Sequence, residues 1–193
     1  MVEVSQRERP ARRLLMDPVA EPADRRVVAI QIGRAPRSDS RVVSVCHLGL
    51  PVVVEIPPLL DDGTPFPTLY WLTCPLAVKR VSRVESEGGV KAMDARSVRD
   101  PAFGARLQAA HRRYATMRDS EVPASARHRP AGGVAGARKG VKCIHAHYAD
   151  HRSGNDNPVG EWAAPRVEPL DCEVPCVLES PEGPVANPEW REP

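Results

Sequence analysis

The sequence predicts an α+β fold: a small antiparallel sheet of about three to four strands packed by about three helices, with disordered termini. Three observations carry this. β-Branched runs occupy 41–46 and 52–56, and a continuously apolar run occupies 69–72; apolar residues recur at helical spacing after 75, after 100 and after 140; and prolines crowd the ends of the chain. A chain of 193 residues with 41% hydrophobic residues can bury one real core, yet 21 prolines and 13 glycines are too many for one compact unit throughout. The expected organisation is a mobile arm over 1–24, a single α+β domain over 25–162 with a flexible loop at 119–138, and a proline-rich, acidic, disordered tail over 163–193.

The elements follow in order. The run 27–32 is apolar and mostly β-branched up to Gly33, which suits a short strand or a helix closed by a glycine cap. The runs 41–46 and 52–56 flank His47-Leu48-Gly49-Leu50-Pro51, a glycine-containing link of hairpin length. Pro57-Pro58 stops the second run, Asp61-Asp62-Gly63 turns the chain, and Pro65 and Pro67 keep it extended until a third strand at 69–72. That strand is continuously apolar, which predicts cover on both faces. Pro75 fits the first position of a helix, and Ala77, Val81 and Val84 then fall at helical spacing until Gly88-Gly89. Asp100-Pro101 opens a second helix in the same way, with Phe103, Leu107, Ala110, Tyr114 and Met117 as one core stripe and His111 as a packing residue beside it. The last periodic segment runs from about Gly140 to Arg152, where Ser153-Gly154-Asn155-Asp156-Asn157-Pro158 ends it.

Composition narrows the functional classes. With 27 basic against 25 acidic residues the net charge is +2, a field too weak to imply a polyanionic partner, and the few aromatics argue against a nucleic-acid stacking platform. The first ten residues hold no apolar targeting core, and no stretch approaches the roughly 18 apolar residues that span a bilayer, so the expectation is a cytoplasmic protein without a membrane partner. Five cysteines, an odd count, favour free thiols, metal ligands or buried apolar groups over a disulfide framework.

The strongest chemical candidate is a thiolate-rich metal site. In an antiparallel meander the first and third strands run the same way, so Cys46 and Cys74 leave the sheet at the same end, and Cys143 with His145 or His147 can meet them there. Three thiolates and an imidazole suit tetrahedral zinc, and thiolate-rich sites also suit iron–sulfur clusters. If the last helix starts at Gly140, Cys143, His147 and His151 share a side; Cys143 and His145 can bind one metal only if it starts after Cys143. Cys172 and Cys176 form a lone C-x3-C pair without further ligands nearby. A second class is a thiol enzyme: Cys74 stands at the N-cap of a helix, where the dipole favours thiolate, with His145 or His147 as base and Asp62 or Asp150 to orient it. A third is an anion- or phosphate-binding module built on Arg34, Arg37, Arg41, Lys139 and Lys142, because guanidinium forks grip such groups bidentately. The remaining class is an adaptor for a protein partner.

Three stretches also carry a resemblance. They are the run Asp62-Gly63-Thr64-Pro65-Phe66-Pro67-Thr68-Leu69-Tyr70-Trp71-Leu72-Thr73-Cys74-Pro75, the earlier Gln31-Ile32-Gly33-Arg34 with Pro36-Arg37, and the later Val141-Lys142-Cys143-Ile144-His145-Ala146 with Asn157-Pro158-Val159-Gly160. Over roughly 25–162 the chain resembles the bacterial family called domain of unknown function 501. The resemblance implies no particular activity. Many members of that family carry a second cysteine two places after the one matching Cys46, where this chain has Leu48, a departure that weakens any four-cysteine cluster here.

Overall fold

β-Branched residues set the centre of the fold. In the structure, a computed structural model that describes residues 22–193, the strands β1 (Arg41–Val45), β2 (Pro51–Glu55) and β3 (Tyr70–Leu72) form an antiparallel sheet in the order β1-β2-β3. β2 and β3 pair in register, with Val53 opposite Leu72 and Val54 opposite Trp71. The β1–β2 register shifts twice, between Val42 and Ser44 and between Ser44 and Val45, as bulges at a sheet edge do. Val52, Val53 and Val54 of the central strand are all fully buried, because both faces of the sheet are covered. One face holds a small cluster of Val28, Val54, Ile56 and Leu60. Val53, Leu72 and the helices build the main core.

The segment 27–32 is helical. It belongs to α1 (Pro22–Ile32), closed by Gly33 at φ +71°, so the glycine-cap alternative holds and the short strand does not. The β-branched run misled because Val27 and Val28 are buried against the sheet, and tertiary packing outweighs their strand preference. Residues 22–24 of the expected mobile arm begin this helix, and 1–21 lie outside the described residues.

Helices appear where proline and spacing predicted them: α2 (Pro75–Ser86), α4 (Pro101–Ser120) and α5 (Ile144–Arg152), to which the structure adds α3 (Gly89–Arg99) and α6 (Pro158–Val167). α3 was hidden because Gly88-Gly89 reads as an end alone. Gly88, left-handed at φ +89°, pivots the chain, and a Cβ on Gly89 would stand 2.6 Å from the Val84 carbonyl oxygen, so the pair permits a corner between two helices. The α4 stripe is core as expected, and Tyr114 at its centre is fully buried. Its hydroxyl accepts the backbone N–H groups of Leu69 (2.6 Å) and Tyr70 (3.1 Å), tying α4 to the entrance of β3. Tyr114→Phe removes the acceptor these N–H groups share; at about 1–3 kcal/mol for a buried donor left unpaired at Leu69, we expect a loss of about 1–3 kcal/mol in equilibrium urea unfolding with an unchanged m-value.

Two expected disordered stretches are packed. Within 119–138, Val122 and Val134 are buried, and the guanidinium of Arg118, 1% exposed, donates to the Gly132 carbonyl at 2.7 Å. Glycine-rich composition there serves close approach, since a Cβ on Gly133 would stand 2.5 Å from the His111 Cβ. The stretch 163–193 continues α6 to Val167 and then wraps back over the domain. Val167, Leu170 and Val177 are buried, and β4 (Val177–Leu178) pairs antiparallel with β5 (Val185–Ala186) against α1. Arg80 donates to the Val167 carbonyl and pairs with Asp171, Arg26 donates to the Glu182 carbonyl, and Lys79 and Arg83 pair with Glu192. Single anchors of this kind leave no periodic signal. No helix among the described residues is long and apolar enough to cross a membrane.

Candidate metal centre

The meander delivers Cys46 and Cys74 to one end of the sheet, as strand direction requires. Cys46 follows β1 in the tight turn before β2, and Cys74 follows β3 as the N-cap of α2. What meets them there is the C-terminal segment. Cys46, Cys74, Cys172 and Cys176 line one enclosed cavity together with Gln31, Leu170 and Trp190, and its volume of about 10 Å³ is room for a single water-sized guest. Two N–H donors already face the sulfurs: Trp190 Nε1 stands 3.4 Å from Cys172 Sγ, and Gln31 Nε2 stands 3.7 Å from Cys176 Sγ. The N–H groups of Leu76 and Ala77, at the start of α2, face the Cys74 sulfur. Among the described residues no three of these four sulfurs lie within 4.8 Å of one another, so an ion would draw them inward.

Cys143, His145 and His147 do not join this set. α5 starts after Cys143, which becomes its N-cap, so the condition under which Cys143 and His145 can share a metal is met. They converge with Glu85 instead: ligand atoms of Glu85, Cys143 and His145 lie within 4.8 Å of one another. The carboxylate of Glu85 is committed there, accepting the Ile144 N–H at 2.5 Å as a cap for α5 and facing His145 Nδ1 at 3.2 Å. His147 is fully buried on another face. Its Nδ1–H donates to Asn157 Oδ1 at 3.0 Å, the same oxygen that caps α6 by accepting from Val159 and Gly160. Asn157 Nδ2 donates to Asp150 Oδ2 at 2.8 Å, and Arg113 pairs with the same carboxylate. His147 Nε2 has no partner among the described residues.

Environment decides what these groups can do. Burial pushes the Cys74 thiol up to about 11, outweighing the amides of Ala77 and Leu76 that pull it down. The expected helix-dipole thiolate is therefore overturned: desolvation wins, and a free Cys74 is protonated at neutral pH. Burial likewise raises the thiols of Cys143 and Cys176. A bound cation reverses this, since metal ligation deprotonates a coordinating thiol outright. Among the described residues no imidazole reaches Cys74 in the manner a thiol enzyme needs; His145 faces Glu85 and His147 faces Asn157. Asp150 meets His147 only through Asn157, and Asp62 lies elsewhere, its carboxyl lowered to about 2 by Thr64 and then Arg37.

The arginine loop is occupied by the protein itself. Arg37 pairs with Asp62 at 2.7 Å, Arg41 with Glu55, and Arg34 lies over the Trp71 ring at 4.9 Å. Lys142 is exposed. The three arginines expected to cradle an anion there are already engaged.

A family model described as "Protein of unknown function (DUF501)" matches residues 42–165. The chain belongs to that family. No curated protein and no solved structure matches it. The DUF501 segment contains Cys46, Cys74 and Cys143 but ends before Cys172 and Cys176, so half of the four-cysteine set lies outside the family match. In the sequence that C-x3-C pair has no ligand neighbours close by. Its spacing was the available signal, and its partners lie about a hundred residues away in the chain.

Proposed function

We propose that this DUF501 protein is a metal-binding domain whose centre is a four-thiolate site of Cys46, Cys74, Cys172 and Cys176 for a single soft divalent ion, zinc above all. The observation that carries the reading is the convergence of four of the five cysteines, from three separate parts of the chain, on one ion-sized cavity faced by N–H donors. Thiolates select such ions, and N–H groups aimed at sulfur are the outer contacts that steady a thiolate ligand. Four protein ligands fill a tetrahedral shell and leave no open position, so the role is structural: the ion joins the C-terminal segment to the sheet and to α2. Five unpaired thiols suit a reducing cytoplasm.

Metal analysis of protein purified without oxygen and without a chelating tag tests this. We expect about one zinc per chain, as in closed structural sites, lost in Cys74→Ser and in Cys176→Ser and kept in Cys143→Ser and His145→Ala. Metal lost in Cys143→Ser but kept in Cys176→Ser would transfer the site to Glu85, Cys143 and His145. Iron with acid-labile sulfide would keep the thiolates and overturn the single-ion reading. No metal in any sample would sink both.

A further inference from the structure

A second surface feature stands apart from the cysteines. Between α3, α4 and the segment 138–140 lies a groove of about 640 Å³, within the size range of small-molecule sites. Arg112, Arg138 and Lys139 line it, with Ser97 and Gln108 as neutral polar neighbours. These three cations make no hydrogen bond or ion pair with the described residues. Most other arginines of the domain do: Arg37, Arg41, Arg80, Arg106, Arg113 and Arg118 each pair with a carboxylate. The single acid of the groove among the described residues, Asp94, is partly spent, since its Oδ1 accepts the Val141 N–H at 2.6 Å. Three cations against one carboxylate leave a local excess of two positive charges in a chain whose overall balance is only +2.

The segment that carries Arg138 and Lys139 is held at both ends. His111 Nε2–H donates to the Gly140 carbonyl at 3.0 Å, while His111 Nδ1 accepts the Val134 N–H at 3.0 Å. The Gly133 N–H donates to the Ala137 carbonyl at 2.8 Å, and Asp94 fixes Val141 just beyond. The neutral, doubly bonded imidazole, whose pKa burial lowers, thus acts as a positioning group for this segment. A fixed backbone spares a ligand the cost of ordering it. Like charges held around one groove repel, and an anion between them relieves that repulsion while accepting the bidentate bonds guanidinium offers.

We propose that this groove binds a small ligand carrying a diphosphate or two phosphate groups, gripped by Arg112 and Arg138 with Lys139 as a point charge. No Phe, Tyr or Trp lines it, which disfavours a stacked single strand of nucleic acid. The site shares no residue with the four cysteines, so its failure leaves the metal reading untouched and the converse also holds.

Calorimetric titration of the full chain with inorganic pyrophosphate tests the proposal, with metal content measured before and after. We expect saturable one-site binding at about 50 mM NaCl that weakens markedly at about 300 mM, as screening requires. Because both arginines are exposed, Arg112→Gln and Arg138→Gln should fold normally, and the double variant should bind about tenfold more weakly or worse. Arg37→Gln, in the acid-paired loop, should bind as the wild type does. No binding at low salt, or equal binding by the double variant, overturns the site. Tighter binding of a single-stranded oligonucleotide, lost in the same double variant, overturns the small-ligand assignment.

Discussion

Removal of the metal is expected to free residues 168–193 while the sheet and the helices up to Val167 stay folded. Two of the proposed ligands, Cys46 and Cys74, stand on the body of the domain, and two, Cys172 and Cys176, stand on the segment that wraps over it. On the proposed four-thiolate reading, metal ligation would be the clasp of that segment. Its other attachments are modest: burial of Leu170 and Val177 contributes about 1.5–3 kcal/mol apiece, and the pairs of Arg80 with Asp171 and Arg83 with Glu192 each have one solvent-exposed partner and are partly screened. Structural zinc contributes about 10–16 kcal/mol in small domains. The body has its own core in Val53, Leu72, Leu76, Val81, Leu107 and Ile144, which does not depend on the ion. A glutamate-specific protease reads the difference, because Glu173, Glu179 and Glu182 all lie in the wrapped segment. With a strong chelator present, or in Cys176→Ser, we expect cleavage at those sites to quicken more than about tenfold while the body survives. Cys143→Ser should be cut at the wild-type rate. If chelation leaves the rate unchanged, the segment is held by packing alone and the clasp is wrong. If the body is digested together with the segment, the ion holds the whole fold.

The reason the site was half legible lies in how each cysteine is positioned. Strand direction follows from hairpin order, so Cys46 and Cys74 can be assigned to one end of the sheet from the runs 41–46, 52–56 and 69–72 alone. The return of Cys172 and Cys176 is accompanied by Arg80 capturing the Val167 carbonyl and Trp190 lying against Cys172, contacts between single residues far apart in sequence. No period announces them. α3 was lost for a related reason, since only Gly89 and Met93 of that helix are buried and two anchors make no stripe. Cys143 and His145 do meet, but the third group is Glu85, placed by the length of α2 and not by any motif. The arginine loop shows the opposite failure. Its composition suggested an anion site, while Asp62, Glu55 and Trp71 neutralise or stack its cations, and cations without partners stand on α4 and at 138–139 instead.

Acid should weaken the fold through His147. Its ring is fully buried, and burial, followed by the smaller repulsion of His111, moves its pKa from 6.5 down to about 4 against the hydrogen bond to Asn157. Between those values the unfolded chain binds a proton that the folded chain refuses. The stability due to the neutral ring is therefore complete above pH 6.5 and is lost as pH falls toward 4, a change of about 3 kcal/mol for this one group. Asp150 works in the opposite sense. Burial raises its pKa against Asn157 and Arg113, so the folded chain takes that proton more readily than the unfolded one. Release of metal from protonating thiolates adds its own acid dependence. Comparison with His147→Gln separates these contributions, because both remain in the variant. We expect His147→Gln to be less stable at pH 7.5, where it loses a fitted ring between Asn157 and His111, yet to lose less stability between pH 6.5 and 4 than the wild type by about 3 kcal/mol in urea unfolding. Parallel curves would mean that His147 is charged in the folded state, which requires a partner for Nε2 and would turn that buried nitrogen from a packing group into a binding one.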